Sequence, residues 1–152
     1  MPTTDPTAPT KKVDPREIMG EHLLDRLATR ITADHSHMGL EYSRRIMAET
    51  VKFLVAGVAC DEPLSPSETV DVGWHTFILH TADYAEFCDR VAGYFIHHNP
   101  EYLDEKTRGG AKNVRQRTLD AITAAGFEAD LPLWPEAADC HQCHAGCHGS
   151  PK

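Results

Sequence analysis

The chain has 152 residues, of which 41% are hydrophobic and 25% charged, a balance that fits one soluble globular domain and excludes a low-complexity chain. Its formal charge of −8 at pH 7 disfavours nonspecific binding to nucleic acid or to an anionic membrane, so neither is expected as a partner. No apolar run approaches the roughly 18 residues of a spanning helix, and the first residues lack the pattern of a signal peptide, which makes the cytoplasm the expected compartment.

In that compartment the five cysteines are expected to stay reduced and to serve metal or redox chemistry rather than disulfides. Residues 1–14 carry three Pro, four Thr and two Lys without hydrophobic periodicity, the composition of a flexible arm. Asp14-Pro15 then marks a helix start, and Met19, Leu23, Leu24, Leu27 and Ile31 follow at helical spacing. His22, His35 and His37 lie on or just after this helix, where His35-x-His37 reads as a pair of exposed loop histidines able to chelate only in an extended loop. A second helix is predicted from about Met38 to Cys60, with Met47, Val51, Leu54, Val55 and Val58 as its apolar stripe.

The densest stretch runs from Pro66 to Cys88. Ser65, Pro66 and Glu68 form a capping-box pattern with proline at the first helical position, so a helix is predicted to start at Pro66. Val70, Trp74, Phe77 and Ile78 make its buried stripe, and Asp71 and His75 stand one turn apart on an adjoining face. That pair either fixes an imidazole tautomer at the helix surface or lines a site, with Asp71 as ligand or as the group that orients a ligating His75. His80 is roughly 140° around the helix from His75, so the two cannot chelate together from one unbroken helix. Thr81 reads as a new N-cap for a helix over Ala82–Val91 that Gly93 closes, with Tyr84, Phe87, Cys88 and Val91 inward and Cys88 an inert buried thiol. Pro100 keeps the preceding residues out of the helical region, and in an extended segment His97 and His98 point to opposite sides. At most one of them can join Asp71 and His75.

The runs Val70-Asp71-x-x-Trp74-His75-x-x-x-Leu79, Tyr84-x-x-Phe87-Cys88 and Phe95-Ile96-x-His98, with Phe53-Leu54 and Pro63 to Ser67, resemble the core of the glycine-rich domain-containing protein-like family, in particular its short bacterial members. The resemblance spans roughly residues 49–100 and implies a helical fold more than an activity. The plant-type version of that motif reads Trp-His-x-His, where this chain has Phe77, and only Gly109-Gly110 are adjacent glycines.

A last helix is predicted from about Ala111 to Ala125, with Val114, Leu119, Ile122 and Ala125 inward and Gly126 ending it. Lys106, Arg108, Lys112, Arg115 and Arg117 give the region a solvated basic face without the interleaved aromatics of a nucleic-acid site. Leu131 to Pro135 reads as an extended strap whose Trp134 packs back onto the helices.

The end of the chain holds Cys140, His141, Cys143, His144, Cys147 and His148, three Cys and three His within nine residues. Thiolate and imidazole suit zinc or copper, and if the segment coils as a helix Cys140, Cys143, His144 and Cys147 share one face, enough for a four-coordinate site. Cys140-x-x-Cys143-His144 also matches the c-type haem attachment pattern, which export would have to precede. Phosphate-loop, nucleophile-elbow and His-Glu-x-x-His signatures are absent.

The fold expected is all-α, a single compact domain of about five helices over residues 15–138, packed around Phe53, Leu54, Trp74, Phe77 and Phe87. The flexible arm precedes it and a Cys/His-rich tail, residues 139–152, follows. The preferred function is a non-enzymatic protein that captures zinc or copper through the tail. Two alternatives stand beside it: a folded leader whose Cys-rich end is the substrate of a modifying enzyme, and a small metalloenzyme using Asp71, His75 and His98 around an open metal position.

Overall fold

The computed structural model describes residues 13–99 and 111–136. The 1–12 part of the expected arm, Lys106, Arg108 and the Cys/His tail lie outside the described residues. Those that are described form six α-helices and one 3-10 turn, with no strand among them. The helices are α1 (Pro15–Met19), α2 (Glu21–Asp34), α3 (Leu40–Ala59), α4 (Glu68–Leu79), α5 (Thr81–Val91) and α6 (Ala111–Ala124), and the turn is Leu131–Leu133.

The extra helix comes from Gly20. Its φ of 94° lies where an L-residue is strained, so the helix predicted to run on from Pro15 is broken there. Asp14 caps α1 by accepting the Arg16 N–H at 2.9 Å, as Asp-Pro leads one to expect. The start of α4 also differs. Ser67, not Ser65, is the N-cap, and its hydroxyl accepts the Val70 N–H at 3.1 Å. With Ser67 as cap the third helical position is Val70, so no capping box forms and Pro66 stands outside the helix. Thr81 is likewise the first residue of α5 rather than its cap, and His80 takes the junction with its Nδ1 2.9 Å from the Thr76 carbonyl.

The organising element is α3, which packs against α1, α2, α4 and α6. A helix with neighbours on so many sides must be apolar around most of its circumference. Accordingly Ile46, Met47, Val51, Phe53, Leu54 and Ala56 are all buried. The expected centre is confirmed, since Phe53, Leu54, Trp74, Phe77 and Phe87 are buried together. Aromatic edges run through it, Phe53 to Trp74 at 5.3 Å and Phe77 to Tyr84 and Phe87 at 5.0 and 5.1 Å between ring centroids. Such pairs contribute roughly 0.5–1.5 kcal/mol each beyond their area.

Gly73 sets the closeness of α3 and α4. A Cβ there would collide with Thr50 Oγ1 and come within 2.9 Å of Ile46 Cγ2. The Thr50 hydroxyl donates to the Ile46 carbonyl at 2.8 Å and lies 3.3 Å from the Val70 carbonyl, so it links the two helices at their closest point. Asp71 and His75 flank this contact on α4, and its rigidity is therefore theirs.

After α6, Gly126 at φ 93° lets the Phe127 N–H reach back to the Ile122 carbonyl at 3.1 Å, and the chain turns across the bundle. This strap is held along its length. Lys52 donates to the Glu128 carbonyl at 2.7 Å, Arg45 grips the Asp130 carboxylate with two bonds of 2.8 Å, and Arg115 places two nitrogens on the Trp134 carbonyl. Trp134 is buried against Phe53, and its indole N–H donates to Glu49 Oε1 at 2.8 Å.

Glu49 is a fully buried carboxylate in the middle of α3. Oε1 also accepts the Asp130 N–H at 3.0 Å, while Oε2 lies 2.9 Å from the Lys52 ammonium in an ion contact without hydrogen-bond geometry. A buried charge persists only when so paired. The arginines expected on a basic face are also engaged, Arg115 with Trp134 and Arg117 with Glu62 at 2.7 Å.

Candidate metal centre

Two chain segments meet at Asp71. Helical geometry brings His75 over it from one turn later, with Nδ1 3.2 Å from Oδ2. His98 arrives from the segment after α5, with Nε2 2.7 Å from Oδ1. The two imidazoles are nearly parallel at 25° with centroids 4.6 Å apart, and the Trp74 indole lies 4.2 Å from His98 on the side of the core. A carboxylate accepts, so His98 turns an N–H toward it, while His75 meets it in an ion contact without hydrogen-bond geometry.

The placement of His98 has its own cause. Gly93, at φ 79°, ends α5 with its N–H on the Cys88 carbonyl at 3.1 Å, and the chain leaves the helix without regular structure. Tyr84, buried on α5, then fixes that segment: its hydroxyl donates to the Ile96 carbonyl at 2.6 Å and accepts the Trp74 indole N–H at 3.0 Å. The Ile96 N–H lies 3.5 Å from Cys88 Sγ. With residue 96 held at both polar groups, alternation sends His98 inward to Asp71 and leaves His97 exposed beside Phe95. Burial raises the Tyr84 phenol well above its ordinary value of 10.0, against the opposing pull of the Trp74 hydrogen bond.

The carboxylate and both imidazoles offer ligand atoms that all lie within 4.8 Å of one another. Access is graded, since the side chains of His98, Asp71 and His75 are 13%, 28% and 59% exposed. The cluster thus has a core-facing wall at Trp74 and an open flank at His75. Among the described residues this is the one group of three or more such side chains close enough to share an ion. His35 and His37 stand edge to face at 6.1 Å between centroids, outside that group, and His80 is occupied with its own helix. An open groove of about 600 Å³ lined by Cys60, Asp61, Glu62 and Asp120 shares no residue with the cluster. Cys88 is buried, as a core thiol should be, and Cys60 is half-buried.

Tyr84 and Trp74 enter the sequence reading only as core residues. Their polar ends could have been suspected, because a buried Tyr or Trp generally finds a partner for its O–H or N–H. The six Cys and His from Cys140 to His148 lie outside the described residues.

An all-helical domain built on one central helix, with an Asp-His-His cluster at its flank, is the class of protein these observations define. Residues 16–124 match the UCP032817-like family, and the chain belongs to it. This corrects the resemblance to the glycine-rich domain-containing protein-like family: the short aromatic and histidine motifs that carry it are spacings that a helical core also produces. No curated protein and no solved structure matches the chain.

Proposed function

We propose that the domain is a metal-binding protein that holds one first-row transition ion, zinc or copper, through Asp71, His75 and His98. The observation that carries this reading is the convergence of three ligand atoms within 4.8 Å. Two imidazoles and a carboxylate suit zinc, copper or iron, and three protein ligands leave coordination positions open. Ligands at about 2.0–2.2 Å from an ion stand roughly 3–3.4 Å apart at tetrahedral or right angles, near the separations of 2.7 and 3.2 Å found here. Each imidazole would ligate in its neutral form, keeping its one proton on the nitrogen away from the ion, so uptake competes with ring protonation and weakens as pH falls.

The test is unfolding in urea with and without zinc. An ion that binds only the folded chain stabilises it by about 2.7 kcal/mol at one hundred times its dissociation constant. His75→Ala, at an exposed position, should remove most of that gain and leave the metal-free stability near wild type. A gain unchanged in both His75→Ala and His98→Gln would sink the proposal.

A second reading is favoured by the ligand density of Cys140 to His148, which would capture zinc or copper by itself or offer its thiols to a modifying enzyme. Metal content of the full chain with Cys140, Cys143 and Cys147 all replaced by Ser separates it from the first.

A further inference from the structure

Asp71 and His75 differ from His98 in how they are held. The first two ride on α4, whose backbone fixes both positions, whereas His98 lies past the end of α5 in a segment without regular structure. A ligand on such a segment loses conformational entropy when it closes on an ion, unless other contacts have already ordered it. Two α5 side chains supply that order. Tyr84 and Cys88 are one turn apart and both reach residue 96: the phenol donates to its carbonyl at 2.6 Å, and the sulfur lies 3.5 Å from its N–H. His98 follows two residues later, so a residue gripped at both polar groups sets the direction from which the imidazole arrives.

The same phenol ties this segment to the other two ligands. It accepts the Trp74 indole N–H at 3.0 Å, and Trp74 stands on α4 beside Asp71 with its indole 4.2 Å from the His98 ring. The contacts therefore form a closed circuit: from Asp71 along α4 to Trp74, through the Tyr84 oxygen to Ile96, and on to His98, whose Nε2 returns to Asp71 at 2.7 Å. Tyr84 is 0% exposed, so water does not readily take the place of its hydroxyl. Resting on the metal reading above, we propose that Tyr84, with Cys88 beside it, is the positioning residue of the centre. It touches no ligand atom, but through Ile96 it sets where His98 stands and so how tightly the ion is held. Groups behind the ligands of a metal change its affinity by roughly 10–100-fold.

Titration with cobalt(II) is the test, in the reduced full chain with Cys140, Cys143 and Cys147 replaced by Ser so that their thiols contribute nothing. The visible absorption of cobalt(II) weakens when a protein ligand gives way to water and the coordination number rises, so one titration reads both affinity and the seating of His98. Tyr84→Phe keeps the ring on Phe77 and deletes only the oxygen; it should weaken binding about tenfold or more and lower the absorption of the bound ion. Cys88→Ala should give a smaller loss in the same direction. Ile122→Val, a buried truncation on α6, should change neither quantity. In a His98→Gln background Tyr84→Phe should have no further effect, because the ligand through which it acts is gone. Parent affinity and absorption in Tyr84→Phe, an equal loss in Ile122→Val, or a full further loss in the His98→Gln background would each overturn the proposal and leave the three-residue site standing. If Tyr84→Phe does not fold, parent affinity in Cys88→Ala overturns it instead. Binding indifferent to both His75→Ala and His98→Gln would remove the metal reading itself, and this proposal with it.

Discussion

Ser67 and Leu133 are joined by a 2.6 Å hydrogen bond through the same hydroxyl that caps α4. One oxygen thus accepts from the helix start and donates to the strap, tying residues 66 apart in sequence. Ser67→Ala removes both bonds and should cost about 1–2 kcal/mol, the usual range for a lost cap with a stranded carbonyl, whereas Ser67→Thr should recover most of it. Urea midpoints of the two variants check this.

Gly73→Ala should be among the most damaging single-methyl additions. The new Cβ collides with Thr50 Oγ1 and crowds Ile46, so α3 and α4 must separate or Thr50 must surrender its link to α4. Overpacking of this kind costs about 1–3 kcal/mol. Because Asp71 and His75 sit on the displaced helix, zinc-induced stabilisation should decline as well. Thr50→Ala in the Gly73→Ala background should restore part of the loss, and additive effects would contradict the packing account.

The buried Glu49 depends on donors from the strap. Trp134→Phe keeps the ring but deletes the N–H that reaches Oε1, leaving Asp130 N–H and Lys52 to hold the charge. A loss of about 1–3 kcal/mol is expected. Glu49→Gln in the Trp134→Phe chain should be milder than in the wild type, since the charge is then less well paired at the outset, and a double-mutant cycle in urea gives the sign.

Two groups tilt stability with pH in opposite directions. The phenol of Tyr84 is raised above 10.0, chiefly by burial, so the folded chain keeps a proton that the unfolded chain gives up. Its contribution is full below that value and is lost as pH climbs past it. Asp130 is lowered from 3.8, first by its hydrogen bond with Arg45, so its contribution is present above that value and disappears as pH falls through the lowered one. Tyr84→Phe should flatten the alkaline limb of a stability profile, and Asp130→Asn the acid limb. Each should leave the other limb unchanged.

Much of the helical layout is legible from spacing alone. The stripes through Leu24, Leu27 and Ile31, through Met47, Val51 and Leu54, and through Val70, Trp74 and Phe77 are buried as 3.6-residue periodicity requires. Gly93 and Gly126 end helices as predicted because each takes the left-handed conformation a helix end asks for. Gly20 takes the same conformation inside an otherwise continuous pattern, and nothing nearby distinguishes it from a glycine tolerated in mid-helix. Ser65 and Ser67 compete as caps, and what selects Ser67 is the Leu133 carbonyl, a partner far along the chain.

At the candidate site, Asp71 and His75 are neighbours by helical arithmetic, and alternation after Gly93 singles out one of His97 and His98. Which one depends on Tyr84 holding Ile96, a tertiary bond without a local signature. Glu49 left a trace that spacing does carry: it shares a face with Phe53 and Ala56, where a lone carboxylate has no reason to be unless something meets it.

The partners of that carboxylate impose an order on synthesis. A chain emerging from the ribosome has α1 to α6 before it has Asp130 or Trp134, and until those appear Glu49 faces the forming core with Lys52 as its companion. Closing the bundle at that stage would bury a poorly paired charge, at a penalty of several kcal/mol. The carboxylate at the centre of α3 is thus fully paired only once the strap is in place. The final described residues act as the lock of the domain rather than its trailing edge.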